Sequence, residues 1–521
     1  MELIMELIKK RIRMCRLKKK IVSQITMDED FIVPDVKPDM EKLVLEDGTV
    51  ELEEIQRLEE RVRLRGKLVC RLLYYPAESG SLQSMETELP FDEIINAPEL
   101  AAKDYLHTEG ELEDLTVEMI HSRKVSVKAI LTFRLILEGI EEAAAVTEIE
   151  SEQPVEQRIR RIRAAQTAVC QKDTFRIREE LELSGNQPDM EELLWTQCRL
   201  KQVETKPLDG QIRIQGALQV FVIYRGTEEH VPPQWIEKEV PFSGTIDQAD
   251  AVEEMYPEIL VQMGHCQLEI QPDYDGENRK LSLDVVLELD IRLYEEEELS
   301  VISDVYTPVK TLIPQAVPAQ IDEILVKNCS RTKVSGKISG SFTDQLLQIC
   351  HVDGAVKLDS AEPETGGLML EGALCVTTLV MTDNDSHPLQ SVKGVIPFQY
   401  RVEAGGMDKN SISQLTTGLE QLGAVMLGGG EIEIRAVLLF DLLARRTSEE
   451  QFITEITEEA ADWAEISRLP GIAAYVVQPG DSLWTIAKKF HTSVDSLKKL
   501  NSLSGEDIKP GDRLLAEKIA G

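Results

Sequence analysis

Residues 61–75 read RVRLRGKLVCRLLYY, and their alternation sets how the rest of the chain is understood. Val62, Leu64, Leu68, Cys70, Leu72 and Tyr74 fall on one face of an extended chain, with Arg61, Arg63, Arg65, Lys67 and Arg71 on the other. Successive side chains of a strand point to opposite faces, so this is a strand with one face in a core and one in water. The same strand recurs at 212–224 (IRIQGALQVFVIY) and at 368–381 (LMLEGALCVTTLVM). A glycine holds the same place in each copy: Gly66, Gly216 and Gly372. Glycine inside a strand marks a bulge or a close backbone approach.

Each copy is followed by an apolar-Pro-Phe triplet: Leu89-Pro90-Phe91, Val240-Pro241-Phe242 and Ile396-Pro397-Phe398. The glycine-to-proline distances are 24, 25 and 25 residues. A second alternating strand then begins at Val125, Leu281 and Ile432, and all offsets between copies are 150–156 residues. Three markers in register three times over define an internal repeat. At offset 150, Pro38-Asp39-Met40-Glu41 also matches Pro188-Asp189-Met190-Glu191, and Arg11-Ile12-Arg13 matches Arg161-Ile162-Arg163. The basic N-terminus is therefore read as the first piece of unit one rather than as an amphipathic membrane anchor, which needs a clean apolar face. Unit three departs here, with GSFTDQLLQIC at 340–350 and no Pro-Asp.

The expected fold is mainly β: three tandem β-rich, sandwich-like repeat domains over 1–148, 149–305 and 306–448. An acidic linker over 449–474, read as a solvated helix or spacer, leads to a small βααβ domain over 475–518. Helical stretches are expected near 155–165 and 247–258.

The 521 residues are 42% hydrophobic and 5% aromatic, enough for ordinary cores but thin for a base-stacking or sugar-stacking cleft. The formal net charge is −36, unevenly spread: +6 over 1–20, +1 over 475–521 and −43 between them. So acidic a body repels phosphate backbones, which disfavours nucleic-acid binding, and its plainest role is solubility. The eight cysteines form no C-x-x-C pair, and His265-Cys266 and Cys350-His351 lack the further ligands a metal needs, so neither a metal nor a cofactor is expected. No apolar h-region and no run of 18 apolar residues occurs, so neither a signal peptide nor a transmembrane helix is expected, and a reducing, cytoplasmic setting is. MELI occurs twice in succession, which makes Met5 a second candidate start beside Met1. No Walker loop, G-x-S-x-G elbow or H-E-x-x-H helix is present, and the run Glu295–Glu298 reads as a solvated loop, so no catalytic residue is nominated and no enzyme is expected.

The tail, YVVQPGDSLWTIAKKFHTSVDSLKKLNSLSGEDIKPGDRLL at 475–515, reads strand, Pro-Gly turn, two short helices, Pro-Gly turn, strand. Ser482 or Asp481 suits a helix N-cap, Leu483, Ile486, Ala487 and Phe490 fall at helical spacing, and Asn501 suits a left-handed helix end. With its V-x-PGDSLW-x-IA opening and LN…I-x-PGD-x-L closing, this stretch resembles a LysM domain. The resemblance implies binding of N-acetylglucosamine-containing glycans such as peptidoglycan. By position the groove has Gly480, Asp481, Ser482 and Leu483 on one side and Leu503, Ile508, Lys509 and Pro510 on the other. A structural reading stands beside it: Leu483, Trp484 and Ile486 as core, Asp481 and Asp512 as turn braces.

A glycan binder without an export signal is a conflict, and the repeats bear on it. Val33-Pro34-Asp35, Lys37-Pro38-Asp39, Leu64 to Tyr75 and Pro90-Phe91 resemble the SipL-type (SPOCS, DUF3794) domain. Three such units and a terminal LysM is the arrangement of the SipL family of clostridial spore coat morphogenetic proteins. That resemblance implies a mother-cell scaffold at the forespore surface whose LysM docks a SpoIVA-type coat morphogenetic ATPase, a protein partner needing no export.

Overall fold

The computed structural model describes residues 5–77, 81–152, 154–227, 233–308, 311–340, 344–459 and 471–517. Repeat 1 contains β1 (Met5–Ile32), β2 (Met40–Leu58), β3 (Arg61–Pro76), β4 (Gln83–Asn96), β5 (Tyr105–His121) and β6 (Lys124–Ser151). They pair antiparallel into two sheets, ordered β2-β3-β4 and β1-β6-β5. Repeat 2 copies this with β7 (Glu156–Glu182), β8 (Met190–Leu208), β9 (Gln211–Gly226), β10 (Gln234–Asp247), β11 (Tyr256–Gln271) and β12 (Lys280–Tyr306), as sheets β8-β9-β10 and β7-β12-β11. Repeat 3 does so with β13 (Thr311–Ser339), β14 (Leu346–Glu364), β15 (Gly367–Thr382), β16 (Leu389–Glu403), β17 (Ile412–Met426) and β18 (Glu431–Glu459), as sheets β14-β15-β16 and β13-β18-β17.

The two sheets of a repeat stack face to face, with alternate residues of each filling the space between. In repeat 1, Val62, Leu64, Leu68 and Cys70 of β3 meet Val127, Ala129, Leu131 and Phe133 of β6 in one buried cluster. Repeats 2 and 3 hold the same cluster at the equivalent positions. The repeat glycine and the Pro-Phe triplet turn out to be one device. Gly66, Gly216 and Gly372 pair directly across the hairpin with Phe91, Phe242 and Phe398. A Cβ on Gly66 would stand 2.1 Å from Glu51 O and 2.8 Å from Phe91 Cζ, so the ring covers the bare backbone where the neighbouring strand bulges.

Beyond Glu138, Tyr294 and Arg445 the long strands β6, β12 and β18 lose one neighbour and continue only with β1, β7 and β13 as two-stranded ribbons. A lone ribbon cannot bury a face. Here three do so against each other: Ile12, Met14, Ala143 and Ala145 of repeat 1 pack with Ala164, Leu299 and Val301 of repeat 2 and with Ile321 and Phe452 of repeat 3. At the opposite side Leu45, Leu73 and Tyr75 meet Trp195, Phe221, Ile223, Cys350, Leu379 and Leu389. Leu73, Ile223 and Leu379 are equivalent positions, so the repeats close on one another about a pseudo-threefold axis. This is why Leu73 and Tyr75, on the expected solvent face of β3, are buried.

Charge follows the same closure. The basic residues of β1 and β7 are answered by carboxylates of the next repeat: Lys10 by Glu297, Arg160 by Glu450 and Arg163 by Glu323. Between the ribbons and the sandwiches lies a buried ionic cluster. Arg292 Nη2 is 2.8 Å from Glu138 of repeat 1, and Arg292 Nη1 is 3.3 Å from Glu258. Arg445 of repeat 3 lies 4.6 Å over the Tyr294 ring.

Several expectations are corrected. Residues 449–459 are not a spacer but the end of β18, with Phe452 and Ile453 buried between ribbons; 460–470 lie outside the described residues. The unit edges accordingly shift, repeat 1 ending with β6 at Ser151, repeat 2 with β12 at Tyr306 and repeat 3 at Glu459. No helix forms at 155–165, which is the start of β7, or at 247–258, where turns closed by Ala251 N–H to Gln248 O and Met255 N–H to Val252 O join β10 to β11. At 155–165 inter-repeat burial and ion pairing override the local pattern, and at 247–258 Ala251 is instead held in the core of repeat 2. Glu295–Glu298 lie inside β12, with Glu296 accepting from Ile324 N–H at 3.1 Å, rather than in a loop.

Candidate functional site

The C-terminal domain pairs β19 (Ile472–Val476) antiparallel with β20 (Arg513–Glu517) and packs helices α1 (Leu483–Lys489) and α2 (Val494–Leu500) on them. Ser482 caps α1 in a reciprocal box: its Oγ accepts from Thr485 N–H at 3.2 Å while Thr485 Oγ1 accepts from Ser482 N–H at 2.8 Å. Ser493 caps α2 by accepting from Ser496 N–H at 3.0 Å. Asn501 is not left-handed; Ser502 is, at φ 54°, and the Asn501 amide instead ties α2 to β20 through Leu497 O, Leu515 O and Leu515 N–H.

The two Pro-Gly-Asp turns are built alike. Gly480 and Gly511 have φ of 91° and 95°, a conformation only glycine adopts freely. Asp481 Oδ2 accepts from Gln478 N–H, and Asp512 Oδ2 from Lys509 N–H, both at 2.8 Å. The turns are clasped through Val477, whose N–H donates to Asp512 O and whose carbonyl accepts from Gly511 N–H, both at 2.9 Å. The Gln478 N–H and the Tyr475 hydroxyl hold the Asp481 carboxyl below the ordinary carboxylate range. Asp481 is thus an ionised turn brace.

This geometry brings the two expected groove sides to one end of the domain. Gly480, Lys509 and Pro510 are exposed, and Asp481, Ser482, Leu503 and Ile508 are half-buried, the two apolar ones leaning on the core as ledges. Leu483 is a correction: as the first residue of α1 it is only 2% exposed and packs with Ile486, Ala487, Leu497 and Leu514. What remains on the surface there is glycine backbone, the Lys509 ammonium and the two apolar ledges of Leu503 and Ile508. Of the His–Cys neighbours set aside as metal ligands, His265 is exposed, Cys266 packs half-buried on the core of repeat 2, and His351 stacks on Phe221 with centroids 3.9 Å apart. Among the described residues no three His, Cys, Asp or Glu side chains gather as a metal site.

Sequence reasoning missed that this domain is seated on repeat 2. Asp304 accepts from Trp484 Nε1 at 2.7 Å and pairs with Lys488 Nζ at 2.8 Å. Tyr306 joins the domain's core, its ring 4.8 Å from Trp484 edge-on and its hydroxyl donating to Thr492 O at 3.0 Å. The signal was present: Asp304-Val305-Tyr306 stands where repeat 1 has Glu148-Ile149-Glu150 and repeat 3 has Glu455-Ile456-Thr457. Also missed were the partners of the Pro-Asp element. Tyr74 and Tyr224 donate to Pro38 O and Pro188 O at 3.2 Å, while Arg123 and Arg279 pair with Asp39 and Asp189 at 2.9 and 2.6 Å. Repeat 3, with Val380 and Gly430 at those positions, has neither.

The architecture defines a modular protein: three β-sandwich repeats closed into one body, carrying a LysM-type module whose turns stay open. Comparison with known families agrees. The SipL, SPOCS domain matches three times, at 29–120, 189–271 and 345–427, and the LysM domain matches 475–516. The chain belongs to the SipL, SPOCS domain family and bears a C-terminal LysM domain, which makes it a sporulation-related protein.

Curated relatives share only short stretches. The chain is 49% identical over 45 residues to a "Probable endopeptidase p60" of Listeria grayi, and 47% identical over 45 residues to that of Listeria welshimeri. Each alignment spans 9% of this chain and 9% of the relative. It is 54% identical over 37 residues to the uncharacterized protein YkzQ of Bacillus subtilis, spanning 7% of this chain and 49% of that one. No solved structure matches the chain. No helix among the described residues is long and apolar enough to cross a membrane.

Proposed function

We propose that this protein is a non-enzymatic spore coat assembly scaffold, acting in the mother cell at the forespore surface. Its LysM domain docks a SpoIVA-type coat ATPase and its repeat body ties coat layers to that anchor. The observation that carries the reading is the seat of the LysM domain on Asp304 and Tyr306, which leaves Gly480, Lys509 and Pro510 exposed on the rigid body. A module held in one orientation transmits position as well as affinity, which suits a scaffold. The acidic body adds charge complementarity as a means of choosing partners, an effect that salt weakens.

Binding of peptidoglycan or another N-acetylglucosamine glycan is the second reading. It is favoured by the exposed glycine backbones beside the ledges of Leu503 and Ile508, which suit an N-acetyl group's amide and methyl. Co-precipitation from sporulating cells with the full chain and with its Lys509→Glu variant tests both. Recovery of the coat ATPase with the native chain and its loss with the variant supports docking through the groove. Recovery unchanged by the variant, together with retention of the native chain on purified peptidoglycan, overturns the docking role and leaves the glycan reading.

A further inference from the structure

His351 of β14 is buried where repeat 3 meets repeat 2, its ring flat against that of Phe221 from β9, with the two planes 7° from parallel. Both ring nitrogens face oxygen atoms of repeat 2. Nδ1 is 3.2 Å from Glu237 Oε1 of β10, and Nε2 is 3.1 Å from Gln197 Oε1 of β8. The Gln197 amide cannot turn round, because its own Nε2 donates to Asp353 Oδ2 at 2.7 Å. Glu237 Oε1 also accepts from Gln219 Nε2, so it is an acceptor toward the ring as well. A neutral imidazole donates from one nitrogen and accepts at the other, whereas an imidazolium donates from both. Two acceptors on one ring therefore fit the charged form, and the Phe221 face stacked on it suits a cation.

The surrounding charges call for the same form. Glu46 and Asp47 of β2 line a small cavity together with His351 and Asp353. Each of these three carboxylates has a cation of its own: Asp353 has Arg199 at 3.0 Å, Asp47 has Arg71 at 3.2 Å and Glu46 has Lys393 at 2.5 Å. For Glu237, His351 is the only basic side chain within ion-pair distance among the described residues, with Lys201 standing further off. Burial pushes the Glu237 carboxyl up, but the hydrogen bond and charge of His351 more than offset this and hold it below the ordinary carboxylate range. The pair is particular to this boundary. The places of Glu237 and His351 are taken by Glu86 and Trp195 between repeats 1 and 2, and by Lys393 and Leu45 between repeats 3 and 1.

We propose that His351 is a proton-operated latch between repeats 2 and 3. Charged, it donates to both Glu237 and Gln197 and holds the boundary closed. Neutral, it keeps one of those bonds, sets a lone pair against the other oxygen and leaves Glu237 without its cation. The closed boundary thus takes up a proton that an open one need not hold. Its stability falls as pH rises across the range in which an imidazole titrates, at about 6.5.

The test follows amide exchange of the full chain at about pH 5 and about pH 8, corrected for the intrinsic effect of pH on exchange. In the native chain the segments around His351 and Glu237 are expected to open about 10-fold more readily at the higher pH, as loss of one hydrogen bond to a charged group requires. The segment around Leu45, at the boundary of repeats 3 and 1, should change little. His351→Leu, which installs the residue that repeat 1 has at this position, is expected to remove the difference. An equal pH effect in that variant, or none in the native chain, overturns the proposal. Should the variant fail to fold, magnetic resonance of the native chain with isotope-labelled histidine still decides. The ring in contact with Phe221 should carry protons on both nitrogens at about pH 6 and on one at about pH 8. A single protonated nitrogen at both overturns the latch.

Discussion

The Asp304 carboxylate of repeat 2 accepts the indole N–H of Trp484 at 2.7 Å, so a residue of the LysM signature is engaged by the repeat body. With Lys488 on the same carboxylate, this contact fixes which way the LysM turns face. The Asp304→Ala variant should release the domain from its seat without unfolding either part. Loss of a partly buried charged hydrogen bond corresponds to about 1–2 kcal/mol. Amide exchange is therefore expected to accelerate about 5- to 30-fold at the start of α2 and at β12 near Tyr306, while the LysM core around Ala487 stays protected. Unchanged exchange at both places would show that the seat contributes nothing.

The glycine under each repeat phenylalanine allows a ranked prediction. A Cβ would meet the neighbouring strand's carbonyl at 2.1 Å from Gly66, 2.3 Å from Gly372 and 3.1 Å from Gly216. Overpacking against backbone costs about 1–3 kcal/mol, because backbone cannot rotate aside as a ring can. Gly66→Ala and Gly372→Ala should fall at the upper end or beyond, and Gly216→Ala at about 1 kcal/mol or less, offset by the strand preference of alanine over glycine. Urea midpoints of the three variants check the order.

Asp290 supplies a pH dependence with a definite sign. Burial pushes its carboxyl up, but the His107 imidazole 2.9 Å away and the Arg292 guanidinium more than offset this, and its folded value lies below the ordinary one. A depressed carboxyl stabilises the fold fully above its unfolded value, near about 3.9, and loses that contribution as pH falls through the folded value. Asp290→Asn should lower stability at pH 7 by about 1–3 kcal/mol, since the buried Arg292 guanidinium loses one of its three carboxylates and His107 loses its own. It should also flatten the decline on acidification. Denaturant titrations of both chains at pH 7 and at acid pH read this, and parallel pH profiles would contradict it.

Alternation alone carried much of this architecture. The strand at 61–75, its copies and the Pro-Phe hairpins follow from side chains alternating across one local sheet, and the LysM domain from caps and turns within forty residues. What alternation could not show was burial that depends on another repeat. Leu73 and Tyr75 read as solvent-facing because their cover comes from Trp195, Phe221 and Leu379, far along the chain. Residues 449–459 read as an acidic spacer because Phe452 and Ile453 find their core only between three ribbons. In the candidate groove, the turns at Gly480 and Pro510 were legible, whereas the seat on Asp304 was not, since it joins residues 180 apart.

Arg292 is the residue on which closure of the three repeats can be tested most directly. Its guanidinium is 2.8 Å from Glu138 of repeat 1, 3.3 Å from Glu258 and 3.5 Å from Asp290, all inside a buried junction where Arg445 of repeat 3 stacks on Tyr294 of repeat 2. Burial raises the Glu138 carboxyl above its ordinary value even with this cation beside it, so Glu138 tolerates little further loss of positive charge. Arg292→Met keeps volume but leaves three carboxylates to repel one another, and removing one partner of a buried ion pair costs about 3–5 kcal/mol. Adding Glu138→Gln should recover part of that loss, because the neutral amide needs no cation, and the two changes should couple strongly. Urea unfolding of the two single variants and the double variant measures the coupling. If the double variant is as unstable as the sum of the singles, the ion pair does not help hold repeat 1 to repeat 2.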